Sequence, residues 1–162
     1  MISMIDDIDL SILRILQANA RRSNADIARE VGMAPSAILD RLRKLEARGI
    51  LRGFEARVDP GQLDLGLVAF VFVRSSERVG QGKTGERLAR IAEVQEVHHV
   101  AGEDCYLVKV RVENTEALGR LLREKFGAIA SVTSTRTTIV LDTVKETALL
   151  PLPNRRSAKA RD

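Results

Sequence analysis

The chain has 162 residues, of which 44% are hydrophobic and 30% are charged, and its formal net charge is +4 at pH 7. This length and apolar content exclude a disordered chain and allow one folded domain or two small ones. No apolar run approaches the roughly 18 residues of a membrane span, and the N-terminus MISMIDDIDL is acidic where a secretion signal is basic. With Cys105 as the single cysteine, we expect a cytoplasmic protein without membrane contact or internal disulfide.

Three helices are predicted in the first 49 residues. Asp6 or Asp7 caps the first, because a carboxylate there accepts hydrogen bonds from the unpaired N–H groups of the first turn. Asn24, or Ser23 beside it, caps the second helix for the same reason. Gly49 ends the third helix, so the segment predicts a compact trihelical unit.

The second and third helices are separated by a tight turn. Gly32 ends the second because glycine adopts the left-handed conformation that closes a helix, and Pro35 suits the first turn of the third. On the third helix, Ile38, Leu42 and Leu45 share one apolar side. The other side is small at its N-terminal end and basic further along, and it carries Ser36, Ala37, Asp40, Arg43, Lys44 and Ala47. This pattern favours a recognition helix in a DNA groove, with an ordinary amphipathic surface helix as the alternative.

A strand and a hinge are predicted next. Residues 50–58, ILRGFEARV, alternate well enough for a strand, which beside a helix-turn-helix is typical of a wing. Its Arg52 and Arg57 either contact DNA phosphate or are simply solvated. Residues 59–66, DPGQLDLG, have the turn chemistry of a hinge. The first predicted domain is therefore a winged helix-turn-helix over 1–58.

The second predicted domain covers 67–150 and has the element order strand, helix, strand, strand, helix, strand. Its strands are predicted over 67–73, 97–101, 106–112 and 132–141, and its helices over 84–93 and 115–126. This is the βαββαβ order of an α+β ferredoxin-like sandwich, in which both helices cover one face of an antiparallel sheet. The first strand, LVAFVFV, is apolar on both faces, so we expect a second copy to cover the other face.

Three features with possible chemistry are interpreted as structural. Residues 81–86, QGKTGE, lack the first glycine of a phosphate loop because Glu77 stands in its place. His98 and His99 are adjacent on a strand and point to opposite faces, so they cannot hold one ion together. Acidic neighbours before Cys105 oppose an activated thiolate. We therefore expect no metal site, no cofactor and no catalytic residue.

The C-terminal residues 151–162, PLPNRRSAKARD, carry four basic residues and one acidic residue. Their apolar content is too low for a core. We expect a mobile basic tail that adds non-specific affinity for DNA.

Five motifs extend between Ile5 and about Glu146, namely IDDIDLSILRILQ, SNADIAREVG, APSAILDRLRKLEARGIL, HHVAGEDCYLVKV and TRTTIVLDTVK. Together they resemble the leucine-responsive regulator (Lrp/AsnC) family of bacterial and archaeal transcription factors. The resemblance implies C-terminal dimers that assemble into tetramers or octamers, with an amino acid or similar metabolite bound between C-terminal domains. The predicted contacts to double-stranded DNA are Asn24, Ser36, Ala37, Asp40, Arg41, Arg43 and Lys44.

The family's effector hairpin typically has the pattern G-D-x-D-Y. The residues that we match to the effector site are Gly102, Glu103, Asp104, Cys105, Tyr106, Thr135 and Thr137. Cys105 stands where the second aspartate is usual, and a thiol does not pair with an ammonium group as a carboxylate does. Either Glu103 or Asp104 therefore takes over that contact, or the effector is unusual or absent. The two threonines have a second interpretation, since threonine is also a good strand former.

Siroheme decarboxylase subunits share this two-domain plan and supply the alternative function. Such an enzyme needs basic and histidine residues that converge on a cavity, and His98 and His99 are the only histidines here. We therefore predict a sequence-specific DNA-binding transcriptional regulator that responds to an amino acid or related metabolite.

Overall fold

The computed structural model describes residues 5–78 and 81–153, which divide into two compact units. The first unit comprises the described residues up to Ala56 together with those from Glu146 onward, and the second begins at Arg57 and ends at Lys145. The chain therefore enters the second unit once and returns to the first. No helix among the described residues is both long and apolar enough to cross a membrane.

The three predicted helices of the first unit are confirmed. They are α1 (Asp7–Ala18), α2 (Asn24–Val31) and α3 (Pro35–Ala47). Asp6 caps α1 by accepting a hydrogen bond of 2.7 Å from the Asp9 N–H, and the Asp9 side chain accepts one from the Asp6 N–H. Ser23 caps α2 through the Asp26 N–H, which leaves Asn24 as the first helical residue. Of the two caps considered for α2, the structure uses Ser23.

The turn between α2 and α3 has the predicted chemistry. Gly32 is left-handed, with φ 72° and ψ 39°, and Pro35 is the first residue of α3. Ile38 and Leu45 are buried and Leu42 is partly buried, which confirms the predicted apolar side of α3. The core that the three helices share includes Ile12, Leu16, Ile27, Ala28 and Ile38.

The strand predicted over 50–58 is wrong. These residues are irregular; Ile50 and Leu51 are partly buried, and residues 52–58 are exposed, with Phe54 52% and Val58 65% accessible. A strand requires a partner that completes its ladder of hydrogen bonds, and the described strands all pair with one another in the second unit. Gly53, at φ 142°, also interrupts the extended backbone. Alternation of apolar residues was therefore not sufficient for a strand at this position.

The second unit has the predicted βαββαβ order. Its elements are β1 (Leu67–Ser75), α4 (Lys83–Ala89), β2 (Val94–His99), β3 (Tyr106–Val112), α5 (Thr115–Arg120) and β4 (Val132–Ile139). The four strands form one antiparallel sheet in the order β2-β3-β1-β4. This arrangement confirms the α+β fold class.

Most elements of the second unit differ from their predicted bounds by a few residues. Strand β1 continues to Ser75, α4 ends at Ala89 rather than at 93, and β4 ends at Ile139 rather than at 141. Strand β2 covers Val94–His99 rather than 97–101, because a shift in register between Val94 and Glu96 lets both residues pair with β3. After α5, the chain continues as a π-helical turn over Leu121–Phe126, in which the Gly127 N–H donates to the Leu122 carbonyl. An added methyl group at Gly127 would lie 2.5 Å from the Arg123 carbonyl oxygen, so this turn requires glycine.

The two faces of the sheet have different surroundings. The face that carries Val71, Val108 and Val110 is fully buried in the core with α4, α5 and the π-helical turn. On the opposite face Phe70 and Phe72 are only partly buried. The burial pattern of β3 alternates along its whole length, as predicted. The packing of a second copy on the opposite face stays a prediction.

The C-terminal segment of the first unit is held by α1. The side-chain amide of Gln17 accepts from the Leu150 N–H at 2.7 Å and donates to the Leu150 carbonyl at 3.1 Å. Arg14 also donates to the Pro153 carbonyl at 2.5 Å. The predicted mobile tail thus begins with residues that contact a helix, and its basic part, residues 154–162, lies outside the described residues.

Candidate DNA interface and effector hairpin

The predicted DNA-contacting side of α3 is accessible. Ser36, Asp40, Arg43 and Lys44 are exposed, and Ala37 is half-buried between them and the core. Among the described residues, none forms an ion pair with either cation. The side chains on this surface are therefore small near the start of α3, and the two cations follow about two turns later.

The N-terminus of α3 adds to this surface. Within the described part of the chain no side chain caps its first turn, where Ala34 and Pro35 stand. Unpaired N–H groups at a helix start carry partial positive charge and attract anions. Asn24 lies at the first position of α2, the second helix start of the motif. The start of α3 is therefore suited to a backbone phosphate, whereas the start of α2 is capped by Ser23 and carries Asp26 in its first turn.

Arg41 occupies a different environment from the other predicted DNA contacts. Its Nη1 atom lies 2.7 Å from Asp6 Oδ2 and 2.7 Å from Asp9 Oδ1, and its side chain is 26% exposed. Hydrogen bonds to Asp9 and Asp6 raise the pKa of Arg41. Burial alone would raise the pKa of Asp6, but the Asp9 N–H and the Arg41 guanidinium outweigh it and lower that pKa. Arg41 thus joins α3 to the start of α1.

The hairpin between β2 and β3 carries both predicted acidic residues. Glu103 forms an ion pair of 3.0 Å with Arg74, and Asp104 forms one of 2.9 Å with Arg136. The Arg136 guanidinium also lies 4.1 Å from the centre of the Phe72 ring. The two arginines lie on β1 and β4, far from the hairpin in the chain, so no local pattern predicts that they contact it.

The remaining residues matched to the effector site do not all share one surface. Tyr106 and Thr135 both pair with Val73 across the sheet, so these three side chains lie on the same face, the one that the helices cover. Thr137 pairs with Val71 on that face. Arg136, by contrast, projects on the opposite face. The structure therefore brings the acidic residues together with arginines and separates them from the two threonines.

Tyr106 is a packing residue in this arrangement. Its ring is buried and lies 5.1 Å from the His99 ring. Burial raises the pKa of the Tyr106 phenol. An added methyl group at Gly85 would lie 2.8 Å from Tyr106 Cε1, so α4 approaches the ring closely. The Cys105 thiol contacts the Ser75 carbonyl at 3.7 Å and has a half-buried position.

The glycine-rich segment before α4 binds a carboxylate of the chain itself. Glu77 accepts hydrogen bonds from the Lys83 and Thr84 N–H groups, at 2.9 Å and 3.0 Å. The buried Thr84 hydroxyl bonds to Ser75 and Ser131. The N–H groups that would bind a phosphate are thus already hydrogen-bonded to the Glu77 carboxylate. Residues 79–80, also in this loop, lie outside the described residues.

The histidines have separate partners. His98 contacts the Glu96 carboxylate at 3.1 Å, whereas the neighbouring His99 lies on the Tyr106 side of the sheet. In residues 5–78 and 81–153, no group of three or more histidine, cysteine, aspartate and glutamate side chains is arranged to hold a metal ion.

Comparison with known proteins matches both units. A family model described as the AsnC-type helix-turn-helix domain matches residues 5–46, and one described as the Lrp/AsnC ligand binding domain matches residues 68–150. The leucine-responsive regulatory protein of Escherichia coli K12 is 34% identical over 154 residues, which are 93% of each chain. The HTH-type transcriptional regulator FL11 of Pyrococcus horikoshii is 37% identical over 151 residues, covering 91% of this chain and 97% of that protein.

Solved structures give the same result. A transcriptional regulator from Neisseria meningitidis in complex with L-methionine has a TM-score of 0.82 at 29% identity, covering 91% of this chain and 96% of the other. The feast or famine regulatory protein from M. tuberculosis, complexed with L-methionine, has a TM-score of 0.83 at 35% identity, with coverages of 92% and 99%.

Proposed function

Because the chain belongs to the Lrp/AsnC family of DNA-binding transcriptional regulators, we propose that α3 reads its DNA target in the major groove. The observation that carries this proposal is the exposed pair Arg43 and Lys44 on a helix whose other side, at Ile38 and Leu45, is buried. A helix fixed by its apolar side presents its cations to solvent, where they meet phosphates and guanine edges.

The small residues at the start of α3 fit close approach to the bases. Ser36 and Ala37 leave the backbone accessible, and Asp40 accepts from a cytosine amino group in the groove. Asn24 contacts the phosphate backbone from the start of α2. The exposed cations hold the backbone on either side of the bases that are read.

We further propose that the hairpin over residues 102–106 binds an amino acid or similar metabolite. The ion pairs at Glu103 and Asp104 offer both signs of charge to a zwitterion. The ammonium group of the ligand replaces the arginine of one ion pair, and its carboxylate replaces the acidic residue of the other. Cys105 contributes no charge to this exchange. The two relatives complexed with L-methionine support an amino-acid effector.

The proposed assembly is a homodimer that associates further into a tetramer or octamer. Phe70, Phe72 and Leu107 on the open sheet face are apolar and partly buried, which suits sheet-to-sheet packing with a second copy. A regulator of this kind acts in the cytoplasm, on DNA, and without catalysis. The matched relatives are named as transcriptional regulators, which favours this function over a tetrapyrrole enzyme subunit.

A DNA-binding titration tests the proposal. The full chain is titrated into labelled fragments of its own upstream region at several salt concentrations. We expect retardation at low salt. The logarithm of the binding constant should fall linearly with the logarithm of the salt concentration, because cations on α3 displace counterions from phosphates. Absence of retardation at low salt contradicts the proposal. A strong absorbance change on adding a tetrapyrrole would favour the enzyme instead.

The effector is tested separately by thermal shift across the amino acids, beginning with L-methionine. A ligand present at about 100 times its dissociation constant stabilises the folded chain by roughly 2.7 kcal/mol. Variants Glu103→Gln and Asp104→Asn should reduce that shift. If both variants respond as the parent does, the hairpin is not the site.

A further inference from the structure

We propose that Arg41 is a positioning residue, which sets the orientation of α3 on the trihelical unit and does not itself contact DNA. This inference rests on the proposed DNA-binding function of α3. The geometry is a fork in which one guanidinium nitrogen lies 2.7 Å from both Asp6 and Asp9. Its partners are 35 and 32 residues away in sequence, so the contact joins two different helices.

The acidic partners are built into the start of α1. Asp6 and Asp9 form the reciprocal capping box of that helix, which fixes both carboxylates. The Asp9 side chain is only 10% exposed. A carboxylate so little hydrated requires a cation close by, and Arg41 supplies it. The Arg41 side chain therefore lies against the start of α1 and is held there by both carboxylates.

The carboxylates bound to Arg41 oppose a phosphate at its guanidinium. A groove of about 400 Å³ runs between the two helices, and its lining includes Asp6, Asp9 and Asp40 as well as the cations Lys44 and Arg48. A phosphate that approached Arg41 there would meet carboxylates already bound to the same guanidinium. Arg43 and Lys44 lie on the exposed side of the same helix and form no ion pair among the described residues, whereas Arg41 is bound to two carboxylates.

The ion pairs supply a directional constraint that the core lacks. Ile38 and Leu45 bury α3, but hydrophobic contact is non-directional and tolerates small rotations of the helix about its axis. A charged fork with fixed partners resists such rotation. Because Arg43 and Lys44 are carried by the same helix, the fork also sets the direction in which those cations point.

Salt-dependent DNA binding separates a positioning residue from a phosphate contact. The full-length parent and the variants Arg41→Gln, Asp9→Asn and Arg41→Gln/Asp9→Asn are titrated against the upstream fragment that the parent retards, well below each melting temperature. Arg43→Gln is the matched control, since it removes one exposed cation from the same helix. Circular dichroism confirms that each variant is folded under the conditions of titration.

The expected result has three parts. Arg41→Gln weakens binding about 10-fold or more with an unchanged salt slope, whereas Arg43→Gln lowers that slope by about 0.9. Asp9→Asn also weakens binding, although the loss of a negative charge alone would strengthen it. The double variant binds about as weakly as Arg41→Gln, because both substitutions break the same fork.

Other outcomes overturn the inference. A salt slope that falls by about 0.9 in Arg41→Gln makes Arg41 a phosphate contact. Unchanged or tighter binding by Asp9→Asn also means that Arg41 acts as a phosphate contact and not through Asp9. If Arg41→Gln does not fold, Asp6→Asn and Arg41→Lys replace it: Asp6→Asn is expected to weaken binding at constant slope, and Arg41→Lys to retain part of the affinity. A parent that binds no DNA refutes the proposed function, whereas a binding parent with unaffected variants refutes only this inference.

Discussion

Replacing Gly32 by alanine tests how the turn between α2 and α3 is made. Gly32 ends α2 at φ 72°, and an added methyl group there has no atom of a described residue within 4 Å. The substitution therefore adds no clash and acts only through backbone conformation. An L-amino acid with a side chain in the left-handed backbone conformation lowers the stability of the folded state by about 1–2 kcal/mol. Because alanine also restricts the unfolded chain by about 0.4–1 kcal/mol, we expect a net loss of about 1 kcal/mol in the free energy of unfolding.

Asparagine at the same position distinguishes conformation from size. Asparagine is larger than alanine but adopts the left-handed region more readily. Urea denaturation followed by far-UV circular dichroism should therefore rank stability as parent, then Gly32→Asn, then Gly32→Ala. Gly66→Ala is the control, because Gly66 also has open space around it but no left-handed backbone. If Gly32→Asn is less stable than Gly32→Ala, the cost is steric and the reasoning is refuted.

Two further predictions concern the cap of α4 and the C-terminal segment. The Thr84 N–H, with that of Lys83, holds the pKa of Glu77 below its ordinary value of 4.5. The ionised cap therefore stabilises the second unit fully above about pH 4.5 and progressively less as the pH falls toward the lowered folded pKa. The gap in urea midpoint between the parent and Glu77→Gln should narrow from about pH 6 to about pH 4, and a constant gap contradicts the cap. At the C-terminal segment, Gln17→Ala removes the acceptor of the Leu150 N–H, which it holds at 2.7 Å. Hydrogen exchange at the Leu150 amide should then become faster, while an unchanged rate means that Gln17 does not hold the segment.

Local rules predicted most of the fold. Gly32 and Pro35 mark the turn because their backbone preferences are properties of single residues. Strand β3 has its predicted bounds, since its alternation of apolar and polar residues records a sheet with one buried face. The motifs also predicted the family, which the matches of the two family models to residues 5–46 and 68–150 confirm.

The same local rules could not predict contacts between residues that are far apart in the chain. A helical wheel separates the faces of α3, but it contains no information that Asp6 and Asp9 lie beside Arg41. The strand predicted over 50–58 failed because strand formation depends on a partner elsewhere in the chain. Arg74 and Arg136 reach the effector hairpin through the order of strands in the sheet, which no local pattern specifies.

The claim that α3 binds DNA through its exposed cations is tested most directly by charge reversal. The double variant Arg43→Glu/Lys44→Glu is compared with Arg87→Glu/Arg90→Glu, which makes the same change in net charge at two exposed residues in the last turn and the C-cap of α4. Affinity for the upstream fragment is measured by fluorescence anisotropy, and oligomeric mass by light scattering. We predict that the α3 variant loses about 100-fold or more in affinity at unchanged mass, while the α4 variant binds nearly as the parent does. Equal affinity of the α3 variant and the parent would contradict the account.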